Sequence, residues 1–88
     1  MVTFNIQLKQ INDVKNFVNI VTKYDYEIDL TSGRYVVDAK SIMGIFSLDL
    51  TKEIKVDVHA DACDDLYSEL KPYIIWLKNS WISAIFYF

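Results

Sequence analysis

Ser41 opens the run Ser41-Ile42-Met43-Gly44-Ile45-Phe46-Ser47-Leu48, in which a hydroxyl is followed at once by large apolar side chains. A serine in that place suits a helix N-cap, where its oxygen accepts a hydrogen bond from an orphan backbone N–H. The turn containing Gly44 cannot extend far as a strong helix. Three or four apolar positions on so short a helix cannot all face inward, so Ile42, Met43 and Phe46 are expected to form, at least in part, an exposed docking patch. The other chemistry-bearing residues are sparse. His59 is the one imidazole and Cys63 the one thiol. A lone cysteine excludes an intramolecular disulfide and fits a reducing compartment. One Cys with one His argues against a Cys/His metal centre, and no cofactor is expected. Asp61, Asp64 and Asp65 read as helix capping and solvated charge, without the ordered oxygen ligands of a metal loop.

The elements that must position these groups follow from periodicity. Val2, Phe4, Ile6 and Leu8 alternate with polar residues, as a half-buried strand does. Asn12 or Asp13 can cap the next element, in which Val14, Phe17, Val18 and Val21 mark one face of an amphipathic helix, with Lys23 at its end to complement the dipole. Tyr26, Ile28 and Leu30 alternate again. Thr31-Ser32-Gly33-Arg34 supplies a turn, with Gly33 available for positive φ, and Tyr35-Val36-Val37 is β-prone. After the Ser41 segment, Ile54, Val56 and Val58 predict a fourth strand running to Ala60, which puts His59 on its solvated face. Asp61 can cap a last helix carrying Leu66, Leu70, Tyr73 and Ile74, with Cys63 as a small apolar helix residue. The order is βαββ, short α, βα. Two one-sided helices must cover one face of the strands, which gives an open-faced α/β sandwich.

Composition narrows the function classes. A chain of 88 residues, half of them hydrophobic, with two Gly and one Pro, is one ordered domain. The formal net charge of -3 and the scattered Lys and Arg residues argue against nucleic-acid binding. Met1-Val2-Thr3-Phe4-Asn5 lacks the basic and apolar regions of a secretory signal, so a cytoplasmic location is expected. From Tyr73 to Phe88 nearly every residue is apolar, broken by Lys78-Asn79-Ser80 and Ser83. That is too short and too interrupted for a transmembrane helix. Trp76, Leu77, Trp81, Ile82, Ile85 and Phe86 fit either a helix bent at Pro72 or a sticky β segment. In both cases the segment predicts self-association or contact with a membrane surface; a C-terminal extension such as translational run-on is a third reading.

Lys23-Tyr24-Asp25, Ile28 to Leu30, the hairpin, Ala39-Lys40-Ser41-Ile42-Met43-Gly44 and Ser47-Leu48 together resemble HPr, the phosphocarrier of the bacterial sugar phosphotransferase system. The resemblance covers residues 1–75, an HPr-like domain, and leaves 76–88 as a hydrophobic extension. It implies an α+β fold of order βαββαβα, a four-stranded antiparallel sheet covered on one face by helices. In that family a Gly-Ile-His-Ala-Arg-Pro run opens the first helix, and its histidine takes phosphate from enzyme I. Here Gln10, Ile11, Asn12 and Asp13 stand in the places of the last four residues, so nucleophile, cation and proline are all replaced. A carboxamide is no phosphoryl acceptor, and Asp13 sets a negative charge where phosphate would go.

A glutamine there with a retained serine segment is also similar to the Crh group. The resemblance then implies Ser41 as the acceptor for HPr kinase/phosphorylase, Lys40 as its basic neighbour, and Ile42, Met43 and Phe46 as the docking patch for phosphotransferase or carbon-regulation proteins. Loss of the arginine at Asn12 counts against binding of the regulator CcpA. The expectation is a non-enzymatic regulatory or binding module. The alternatives are phosphoryl transfer through an unidentified residue and a degenerate HPr fold retained for self-association.

Overall fold

The computed structural model describes residues 1–75. Its elements are β1 (Val2–Ile6), α1 (Ile11–Val21), β2 (Ile28–Ser32), β3 (Tyr35–Asp38), α2 (Ile42–Phe46), β4 (Ile54–Val58) and α3 (Asp64–Leu70), followed by a 3-10 turn, Lys71–Tyr73. The sheet order is β1-β4-β2-β3, antiparallel throughout. This is the α+β open-faced sandwich expected from the alternation. The strand residues in register make the reason visible: Phe4 pairs with Val56, Val56 with Leu30, and Leu30 with Val37. That row lies on the helix-covered face, where Phe4, Val56 and Leu30 are buried with Val14, Phe17 and Val21 of α1 and Leu66 and Leu70 of α3.

The next row faces the other way and is polar. Thr3 pairs with Asp57, Asp57 with Asp29, and Asp29 with Asp38. Like charges directly opposite one another destabilise a sheet, and local partners offset them here. Thr3 Oγ1 donates to Asp57 at 2.8 Å, Lys55 Nζ lies 3.8 Å from the same carboxylate, and His59 Nε2 lies 2.8 Å from Asp29 Oδ2. The hairpin between β2 and β3 turns on Gly33, whose φ of 61° is the left-handed conformation anticipated for it.

Several boundaries differ from the sequence expectations. Helix α1 starts from Gln10 as N-cap, two or three residues earlier than an Asn12 or Asp13 cap would place it. Asp13 reaches back instead, its Oδ2 accepting the N–H groups of Lys9 at 3.0 Å and Gln10 at 3.2 Å. Lys23 lies past the Thr22 C-cap, and its ammonium pairs with Glu69 at 2.6 Å rather than with the helix end. β4 ends at Val58, so His59 falls just beyond it, its N–H donating to the Glu27 carbonyl at 2.9 Å. Cys63, not Asp61, is the N-cap of α3; it is buried, and burial pushes its thiol pKa up.

The largest difference is at the C-terminal end. α3 stops at Leu70, before Pro72, and does not carry Tyr73 and Ile74 onward as helix. A proline has no N–H to continue the ladder, and the chain leaves the 3-10 turn with Ile74 extended. Ile74 then bridges Ile6 antiparallel, while Gln7 N–H donates to the Tyr73 carbonyl and Ile75 N–H to the Asn5 carbonyl, each at 2.9 Å. The expectations for Trp76 to Phe88 lie outside the described residues. Among the described residues, no helix is long and apolar enough to cross a membrane.

Candidate functional site

α2 is five residues long, and its position is set from both ends. At its start the Ser41 hydroxyl accepts the Gly44 N–H at 3.1 Å, the N-cap bond read from the sequence. Gly44 suits the close packing as well. A Cβ there would sit 3.2 Å from both Ser41 Oγ and Val37 Cβ, so the missing side chain lets the cap and β3 close on the helix. On the inner side Ile45 is fully buried, and Leu48 follows it into the core.

That anchoring leaves the outer side apolar and open. Met43 is 77% exposed and Phe46 40% exposed, whereas Ile42 is half-buried against the core. Of the three expected patch residues, two therefore form the exposed surface and the third supports it. Lys40, expected as a basic neighbour of Ser41, is held elsewhere: its ammonium donates to the Tyr24 carbonyl at 2.7 Å. Its head is committed to the loop after α1.

α1 lies beside α2 and presents the second candidate position. Gln10 is exposed at its N-terminus, and the Asp13 carboxylate closes over the backbone there. An anion is favoured at a helix start because the unpaired N–H groups and the dipole attract it; in this chain the charge already present is the protein's own. Ile11, one residue on, is 62% exposed. It lies three residues before Val14, at the spacing of the apolar stripe, yet it stands in solvent.

The other candidates separate from this surface. His59 stands with Asp25, Glu27, Asp29, Asp38 and Lys40 around a cleft of about 310 Å³ at the opposite end of β2 from the hairpin. Behind it a clasp unforeseen from the sequence ties the α1–β2 loop to α3. Tyr24 and Lys23 both donate to Glu69, Tyr26 donates to Asp65 at 3.0 Å, and the two tyrosine rings stack 5.9 Å apart. The Glu69 bond holds the Tyr24 phenol up at about 12, and Lys23 with Tyr24 holds the Glu69 carboxyl below its usual range. Among the described residues, no group of His, Cys, Asp and Glu is arranged to hold a metal ion.

Comparison with known proteins agrees with this architecture. Residues 11–71 match the family model described as the PTS HPr component phosphorylation site, a span running from α1 to the end of α3 and starting one residue after Gln10. No curated protein matches the chain. Among solved structures, HPr-C-His from Thermoanaerobacter tengcongensis is 25% identical with a TM-score of 0.69, over 82% of this chain and 89% of that one. The phosphocarrier protein HPr of Bacillus anthracis str. Ames shares the fold at 23% identity and a TM-score of 0.65, covering 84% and 96%. A mycoplasma histidine-containing phosphocarrier protein shares it at 14% identity and 0.66, covering 81% and 89%. The match spans more than half the chain and both candidate helices: the chain belongs to the HPr family of the phosphotransferase system, whose members are phosphocarriers that interact with other proteins of that system rather than enzymes.

Proposed function

We propose that this HPr-family chain acts as a non-catalytic regulatory or protein-binding module, docking through Met43 and Phe46 with Ile42 behind them, and switched by phosphorylation of Ser41. The observation that carries the reading is the pairing, on one short helix, of a hydroxyl cap with exposed Met43 and Phe46. A phosphate on Ser41 would add close to two negative charges beside the apolar patch and Lys40, altering the surface a partner meets without demanding a new fold. The natural partners of such a face are phosphotransferase or carbon-regulation proteins, HPr kinase/phosphorylase among them, in the cytoplasm. The functional unit is residues 1–75, and the apolar segment 76–88 is an extension suited to self-association or membrane-surface contact.

Phosphoryl transfer is disfavoured at both conceivable places. At the start of α1, Gln10 offers no nucleophile and Asp13 supplies the anion already. At His59 a phosphoryl group would face Asp25, Glu27, Asp29 and Asp38 with Lys40 as counter-charge, and at such short range like charges repel strongly. Incubation with phosphoenolpyruvate and enzyme I tests this part. Labelled phosphate should reach a genuine HPr in a parallel tube and not this chain; acid-labile label on this chain would overturn the non-carrier reading.

A further inference from the structure

A cleft of about 400 Å³ lies between the hairpin residues Ser32 to Tyr35 and the α2–β4 connection at Ser47, Asp49 and Lys52. Its volume is at the lower end of small-molecule sites. Three features of its wall are unexplained by folding. Ser32 is only 9% exposed, on the core-facing side of β2 in line with Ile28 and Leu30, yet among the described residues its hydroxyl has no hydrogen-bond partner. A buried hydroxyl left unpaired is costly, and proteins rarely keep one without a use. The Arg34 guanidinium pairs with no carboxylate among the described residues, and Lys52 has one loose contact, 4.0 Å from Asp49 Oδ2. Asp49 brings one carboxylate to the wall, its Oδ1 accepting both the Thr51 hydroxyl at 2.6 Å and its N–H at 3.1 Å and its Oδ2 facing Lys52 at 4.0 Å. Two cations thus stand against one anion there. Tyr35, also in the wall, is 70% exposed.

We propose that this cleft binds a small phosphomonoester, its phosphate between Arg34 and Lys52 and its organic part against Tyr35. The guanidinium fork matches two phosphate oxygens, while the ammonium acts as a point charge on the dianion. Two cations from different elements suit a doubly charged group; a monocarboxylate would occupy Arg34 alone. The Ser32 hydroxyl gains the acceptor it lacks. The inference is independent of the Ser41 docking face, and either can fail without the other.

The test is an amide NMR titration of the full chain with phenyl phosphate, inorganic phosphate and benzoate. Phenyl phosphate should give saturable shifts at Gly33, Arg34 and Lys52, binding about tenfold more tightly than benzoate. Arg34→Gln and Lys52→Gln should each weaken binding about tenfold, as loss of a charge-assisted bond does, with the rest of the spectrum unmoved. Ser32→Ala, nearly isosteric, should weaken it severalfold. Shifts that do not saturate, that persist undiminished in Arg34→Gln, or that benzoate reproduces equally would overturn the site. Inorganic phosphate binding as tightly as phenyl phosphate would overturn the assignment to an ester.

Discussion

The N-termini of α1 and α2 solve the same problem in opposite ways. Both helices begin with backbone N–H groups that need an acceptor. At α1 the acceptor is the carboxylate of Asp13, which folds back onto Lys9 and Gln10 and brings a fixed negative charge. At α2 it is the neutral hydroxyl of Ser41, which brings no charge of its own. The flanking residues reinforce the contrast, since Met43 and Phe46 stand exposed beside the hydroxyl. A helix start closed by its own carboxylate is a poor place to receive a phosphoryl group; one closed by a hydroxyl keeps that option.

The contrast is broken most severely through the anchors beneath the two helices. Phe17 is fully buried under α1, so Phe17→Ala should destabilise the fold by about 3–5 kcal/mol, read as a lower denaturant midpoint. Met43→Ser, on the exposed side of α2, should leave stability within about 0.5 kcal/mol while weakening partner capture. Equal losses from the two substitutions would show that the Met43 surface is packed and not a docking face.

The caps themselves give a smaller effect. Ser41→Ala removes the bond to Gly44 and should cost about 1 kcal/mol, measured by equilibrium unfolding. Asp13→Asn keeps an acceptor but loses the charge and should cost less, with the difference shrinking in high salt. A salt-dependent Ser41→Ala cost would contradict the neutral-cap account.

The smallest effect sharpens the picture of how α1 is held to α3. Tyr24 keeps its proton up to about 12 against an ordinary 10.0, so the folded state binds that proton more tightly than the unfolded state does. The stability this gives is complete below pH 10 and is lost as pH rises toward 12. For Glu69 the sign reverses: its carboxyl is depressed, so its contribution is present at neutral pH and is lost as pH falls through the folded value. Glu69→Gln should bring the Tyr24 phenol back toward 10.0, seen in a spectrophotometric titration against Tyr24→Phe; no downward movement would assign the shift to burial.

The parts of this molecule that a sequence encodes locally were legible, and the parts made by tertiary contact were not. Alternation at Phe4, Ile28, Leu30 and Val56 reports burial directly, and Gly33 reports the αL turn, because each is decided within a few residues. The Ser41 cap is equally local. The α1 start lies earlier than the sequence places it because Asn12 and Asp13 are the stronger capping types, while the bond from the Gln10 N–H to the Asp13 carboxylate fixes Gln10 as the cap. The end of α3 was missed because its apolar spacing continues through Tyr73 and Ile74 while Pro72 and pairing with β1 override it. Lys40 and Lys23 show the same limit: a charge is visible in the sequence, but its partners, the Tyr24 carbonyl and Glu69, are distant along the chain.

A function carried by the face of α2 rather than by the start of α1 is tested most directly at Ser41. The protein is incubated with HPr kinase/phosphorylase and ATP, and its intact mass is compared with that of Ser41→Ala, with a genuine HPr modified in parallel. One phosphate on the native chain and none on the variant is the predicted result. An unmodified native chain beside a modified control would contradict it and reduce Ser41 to a structural cap.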